Sequence, residues 1–205
     1  MVRAFALLIL LIVVAGAFLT YPLLERGLST RVEPSALEAL IARGVRRLAT
    51  PRAMKDARNP VEPTGTVLED GLAHFADHCA SCHANDGSGQ TDLGRSFYPP
   101  APDMREAPTQ SLSDGELFSI IENGIRLTGM PAWGTGTPEG ELGSWALVHF
   151  IRRLPSLSAE DIARMEGLNP RSPEQFREEE AIKRFLAGED QPSPPNPPSA
   201  HKHRP

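Results

Sequence analysis

Cysteine is scarce in this 205-residue chain. Only Cys79 and Cys82 occur, which excludes a disulfide scaffold. Positive charge is not in excess either. Lysine and arginine number 21 against 26 acids, a formal net charge of −5, and that balance excludes a general nucleic-acid binder. No run of alternating apolar residues is long enough to read as a strand, and no internal repeat is present. The expected fold class is therefore all-α. A nucleophile–base–acid triad, a phosphate-binding glycine loop and a second metal cluster are also missing, so no chemistry is expected beyond the one motif described below. What is present suffices for a packed core: apolar residues make up 40% and charged residues 23%, which excludes wholesale disorder.

The N-terminus decides the compartment. Ala4 to Leu19 are uncharged and almost wholly apolar, and apolar character continues to Leu24. That length approaches what a helix needs to cross a bilayer. Ala15-Gly16-Ala17 resembles a signal-peptidase site, but the apolar stretch runs on past it, which favours an uncleaved transmembrane anchor over residues 1–24. Either way the chain is expected to be exported. Arg26 and Arg31 follow the segment, against the usual cytoplasmic excess of positive charge.

Residues 25–65 form a basic arm and linker, with eight Lys/Arg against five acids, a net of +3. Within it Ser35 can cap a helix whose apolar positions Leu37, Leu40, Ile41, Val45 and Leu48 recur at helical spacing. Residues 66–160 carry 13 acids against five arginines and no lysine, a net of −8. Residues 161–187 read as a helical extension, with Ser172-Pro173-Glu174-Gln175 as a helix start. Residues 188–205 are rich in proline and polar residues and are expected to be disordered.

The chemistry is concentrated at Cys79-Ala80-Ser81-Cys82-His83. C-x-x-C-H is the attachment signature of a covalent c-type haem. Residues i and i+3 share one helix face, so both thiols reach one porphyrin edge, while the adjacent histidine offers its imidazole to iron. A thioredoxin-like pair would need a βαβ context, and a structural zinc site two further ligands at finger-like spacing. Neither is visible. One covalent haem c is expected, with His83 as an axial ligand.

Around this motif, residues 66–157 resemble a class I cytochrome c domain. Gly71 and Phe75 stand on what would be the family's first helix, and Ser144–Ile151 resembles its last, with Trp145 and Phe150 at the crossing. The Tyr98–Met104 and Ser113–Phe118 stretches are similar to segments of bacterial members. The arm over 43–60 looks like the leader of membrane-anchored monohaem members.

A sixth iron ligand has three methionine candidates: Met104, Met130 and Met165. Taken alone, Met130 could equally be a ligand or a core filler. Its place between Gly129 and Pro131 helps to aim a flexible thioether, and the resemblance implies that it is the distal ligand. Met104 is only 21 residues from His83, and Met165 is expected outside the domain. His74 and His78 lie on the attachment helix, His149 reads as a half-exposed helical histidine, and His201 and His203 lie in the tail. The resemblance further implies that Tyr98, Arg126 and Trp133 bind haem propionates, and that Thr128 lies near the methionine sulfur. A carbonyl in Tyr98–Pro102 is expected to accept from Nδ1–H of His83.

Two filled axial positions leave iron only one-electron cycling. The expected function is electron transfer at the outer face of a bacterial inner membrane, in the periplasm, between redox partners that offer a basic docking patch to the acidic domain. A haem subunit of a larger dehydrogenase or oxidase complex is the alternative. An open-site haem enzyme or sensor would require Met130 not to ligate iron.

Overall fold

The computed structural model describes residues 2–26 and 29–188. It is 65% helical, without a strand among the described residues. The expected tail over 188–205 falls almost wholly outside them, including His201 and His203.

Helix α1 runs Val2–Arg26, where the sequence expects a membrane-spanning segment. The described side chains give an unbroken apolar run of 14 residues, Phe5–Phe18. Among the described residues no helix is long and apolar enough to cross a membrane. The apolar side chains of that run are nevertheless exposed, Phe5 at 66% and Phe18 at 79%.

Helix α2, Ala36–Ala49, starts at Ser35, which forms a capping box with Glu38. The short α3, Arg52–Lys55, follows. Helix α4, Gly65–His74, begins at the Thr64 cap and continues as a π turn over Phe75–Cys79 and then α5, Ala80–His83. Three further helices are α6, Asp92–Ser96, α7, Ala107–Gln110, and α8, Asp114–Asn123. Helix α9, Pro138–Arg153, and a 3-10 turn over Leu154–Ser156 lead to α10, Ala159–Glu166.

The core is organised by the crossing of α4 and α9. A Cβ on Gly71 would stand 2.6 Å from the Ala146 carbonyl oxygen and 3.0 Å from Cβ of Phe150, so only glycine lets the backbones approach this closely. Phe75 packs on Phe150 with ring centroids 5.1 Å apart, and Phe118 stacks on Trp145 at 4.1 Å. Phe75, Leu147, Val148 and Phe150 are all essentially buried.

Two features differ from the expected layout. The stretch read as a linker is packed onto the domain: Met54, Ala57 and Val61 join the core. Asn59 donates to the Trp145 carbonyl at 2.9 Å, and His149 Nε2 lies 2.6 Å from the Val61 carbonyl. Met165, expected outside the domain, is completely buried in the core. The reason is amphipathicity: α10 buries Met165, half-buries Ile162 and leaves Glu160, Arg164 and Glu166 exposed. The described residues 170–188 belong to a separate unit. It holds α11, Pro173–Leu186, which starts with the Ser172/Gln175 capping box.

Candidate functional site

The Cys79–His83 motif sits where the helix changes its winding, from the π turn into α5. Such single π turns recur at functional sites because they re-aim the side chains that follow. Ala84 ends the helix at φ 60°, and the chain then folds back over the motif. Gly89 N–H donates to the His83 carbonyl at 2.8 Å, and Thr91 Oγ1 to the Cys82 carbonyl at 3.1 Å. Gly94 packs directly on the Cys82 carbonyl, where a Cβ would have no room.

Neither cysteine is in a disulfide. Burial pushes the Cys79 thiol up to about 12, with the neighbouring Cys82 adding to the shift. Cys79 is thus held protonated at neutral pH. That environment disfavours a thiolate metal ligand or a redox dithiol, whereas a neutral thioether suits it.

His83 is largely buried, and burial lowers its pKa below the ordinary 6.5; the Pro102 backbone opposes this more weakly. The ring is therefore neutral at pH 7, as a metal-binding imidazole must be. Its Nδ1 is sequestered from water without a partner at full hydrogen-bond geometry. An unpaired buried nitrogen beside the Pro102 backbone would suit an imidazole that donates there and leaves its other nitrogen for a metal.

Met130 lies in a loop between α8 and α9 that is fixed by its own backbone. Gly124 ends α8 at φ 64°, and Ile125 N–H donates to the Met130 carbonyl at 3.1 Å. Thr128 Oγ1 donates to the Ile125 carbonyl at 2.8 Å and accepts from Met130 N–H at 3.1 Å. Its single hydroxyl proton is thereby used within the loop, so Thr128 orients Met130 through the backbone. Trp133 and Gly134 N–H groups anchor the loop's end to the Ile121 and Glu122 carbonyls at 3.0 and 3.1 Å.

Two contacts bring this loop to the Cys79–His83 motif. Phe97 packs against Gly129, and the same Phe97–Pro102 segment reaches His83 through Pro102. Trp133 meets His78, the residue before Cys79, edge to face at 5.4 Å. Sequence reasoning missed Phe97 as a site residue, because nothing in its local pattern marks which loop its ring will meet.

The other expected residues fare differently. Tyr98 donates its hydroxyl to Glu38 Oε1 of α2 at 2.9 Å. Arg126 is exposed, and Trp133 is half-buried. Met104 is buried in the core and its carbonyl accepts from Gln110 at 2.7 Å, so it acts as a core residue. His74 packs edge to face on His78 at 4.8 Å.

Residues 66–151 match the family model described as cytochrome c oxidase, cbb3-type, subunit III. These residues are a c-type cytochrome domain. Over 83 residues the chain is 31% identical to the Cbb3-type cytochrome c oxidase subunit CcoP of Cereibacter sphaeroides, a match covering 40% of this chain and 27% of that protein. The cytochrome domain thus spans little more than a quarter of the curated relative it matches. The domain's helical architecture and its haem-attachment motif agree with this family.

Proposed function

We propose that this cytochrome domain transfers single electrons through one covalent haem c, held by Cys79 and Cys82, with His83 and Met130 as axial ligands. The observation that carries this reading is the double attachment of the Met130 loop to the motif, through Phe97 and through Trp133. Haem supplies a one-electron couple whose potential is raised by a thioether ligand. The chain's residues do the rest. His83 presents a neutral imidazole, Pro102 offers an acceptor to its Nδ1, and Gly124, Thr128 and Gly129 hold Met130 in place. Phe118, Ile121 and Trp145 form an apolar core that limits water. Arg126, Trp133 and Tyr98 are the proposed propionate partners, with Tyr98 also engaged by Glu38.

The domain works at the outer face of a membrane, in the periplasm, with α1 as the tether. The exposed apolar run Phe5–Phe18 supports this reading. Its net charge of −8 over 66–160 favours partners with a basic patch. Similarity to CcoP supports a second reading, in which the domain is the haem subunit of a larger membrane oxidase complex. Absorption spectra of the full haem-loaded chain, oxidised, reduced and reduced under carbon monoxide, test the site. A near-infrared methionine–iron band and no carbon monoxide binding are expected; a readily carbon monoxide-bound haem overturns the ligand set. Purification in mild detergent separates carrier from subunit, because only a subunit brings stoichiometric partners with it.

A further inference from the structure

Helix α2 is mounted the wrong way round for a helix of a water-soluble domain. An amphipathic helix normally turns its apolar stripe to the core. Here no residue of α2 is fully buried; Ala39, Arg46 and Thr50 are half-buried, while Leu37 is 63%, Ile41 56%, Val45 59% and Leu48 86% exposed. The helix is held in this pose at its start by the Tyr98–Glu38 bond and beyond its end by Met54 and Ala57 in the core.

Along one edge of the stripe runs a surface concavity of about 380 Å³ between α2 and α7. Leu40, Arg43, Arg46 and Arg47 line it from α2, and Ala107 and Leu112 from the domain; no carboxylate is among its described lining residues. Burial lowers the pKa of Arg46, with a weaker opposing effect from Glu116, and its neighbours Arg47 and Arg43 lower it further. Three guanidinium groups so placed suit a shared anion.

We propose that α2 lies in the plane of an anionic lipid surface, with Leu37, Ile41, Val45 and Leu48 in the acyl boundary and Arg43 and Arg47 on lipid phosphates. Three observations select lipid as the occupant. The helix begins ten residues after the end of α1, whose exposed apolar run needs the same surroundings. The arm is basic at +3, while the haem domain at −8 is repelled by anionic headgroups and approaches only through this helix. An apolar stripe edged by arginines is the pattern of an interfacial helix, where the guanidinium groups reach up to the headgroups. The haem domain would then be clamped close to the membrane instead of swinging on a free linker.

The inference rests on the membrane tether proposed above, and the test separates the two. The full haem-loaded chain is reconstituted into nanodiscs of phosphatidylcholine with or without phosphatidylglycerol, and amide hydrogen exchange is followed over residues 36–49. Protection about tenfold stronger in the anionic discs than in detergent is expected. Ile41→Glu with Leu48→Glu should abolish it, and Arg43→Gln with Arg47→Gln should reduce it in anionic discs only, with the haem spectrum unchanged in both. Failure of the chain to float with the lipid overturns the tether. Flotation with α2 exchanging as fast as in detergent overturns this proposal alone. Equal protection in neutral discs, or protection already present in a detergent-solubilised dimer, overturns it in favour of a neutral surface or a second copy.

Discussion

The ring of Phe97 fills the space beside Gly129: a Cβ there would stand 2.7 Å from Cδ2 of Phe97 and closer still to two other ring carbons. This contact joins the segment that reaches His83 to the loop that carries Met130. Gly129→Ala is expected to push the two loops apart, weakening or abolishing the methionine–iron band. Overpacking of this kind costs about 1–3 kcal/mol. Near-infrared absorption and denaturant titration of the same sample read both effects. An unchanged band would show that Met130 does not depend on this contact.

Replacing the proposed distal ligand tests it directly. Met130→Ala should leave covalent haem in place, open the iron to carbon monoxide and lower the reduction potential, because the thioether favours ferrous iron. Met104→Leu, a volume-conserving core change, should cost less than about 1.5 kcal/mol and leave the spectrum alone. Spectra that responded to Met104 and not to Met130 would reverse the assignment.

At the helix crossing, Gly71→Ala places a methyl group 2.6 Å from the Ala146 carbonyl. Backbone cannot yield as a side-chain end can, so α4 and α9 must separate. A loss of about 1–3 kcal/mol is expected, measured by thermal or denaturant unfolding of the haem-loaded protein. The spectrum at low temperature should remain that of the parent.

Acid should loosen the loop that crosses the motif. Arg105 contacts Asp103 at 2.6 Å and Asp86 at 2.9 Å. The Arg105 hydrogen bond holds the Asp103 carboxyl below the ordinary 3.8. At Asp86 burial pulls upward, but the Ser88 bonds and the Arg105 charge together outweigh it and hold that carboxyl low as well. A carboxyl with a depressed folded-state pKa contributes stability that is complete above the unfolded value and lost as pH falls through the folded one. The contribution is thus present above about pH 4 and disappears below it. In Arg105→Met the stability curve should fall less between about pH 4 and 2, as followed by circular dichroism.

The acidic surface predicts opposite salt effects with two small redox reagents. Electron exchange with a cationic metal complex should slow as ionic strength rises, and exchange with an anionic one should accelerate. Stopped-flow rates across a salt series check this. Two slopes of the same sign would remove the case for electrostatic steering.

Local order alone determined much of this protein. The spacing of Cys79, Cys82 and His83 was enough to propose a haem, because attachment chemistry needs two thiols and an imidazole within one helical turn. Capping residues such as Ser35, Ser113 and Ser172 set helix starts through bonds that span three residues. Gly71, Phe75, Trp145 and Phe150 could be matched to a known helix crossing.

Tertiary structure decided what depends on distant partners. Phe97 meeting Gly129, Trp133 meeting His78, and Tyr98 bonding Glu38 join residues 32, 55 and 60 positions apart, which no periodicity encodes. Met165 entered the core because α10 folds back onto it, although the sequence placed it beyond the domain. The same holds for α2: its apolar stripe was plain in the sequence, but only the fold shows that Leu37, Ile41, Val45 and Leu48 stay exposed.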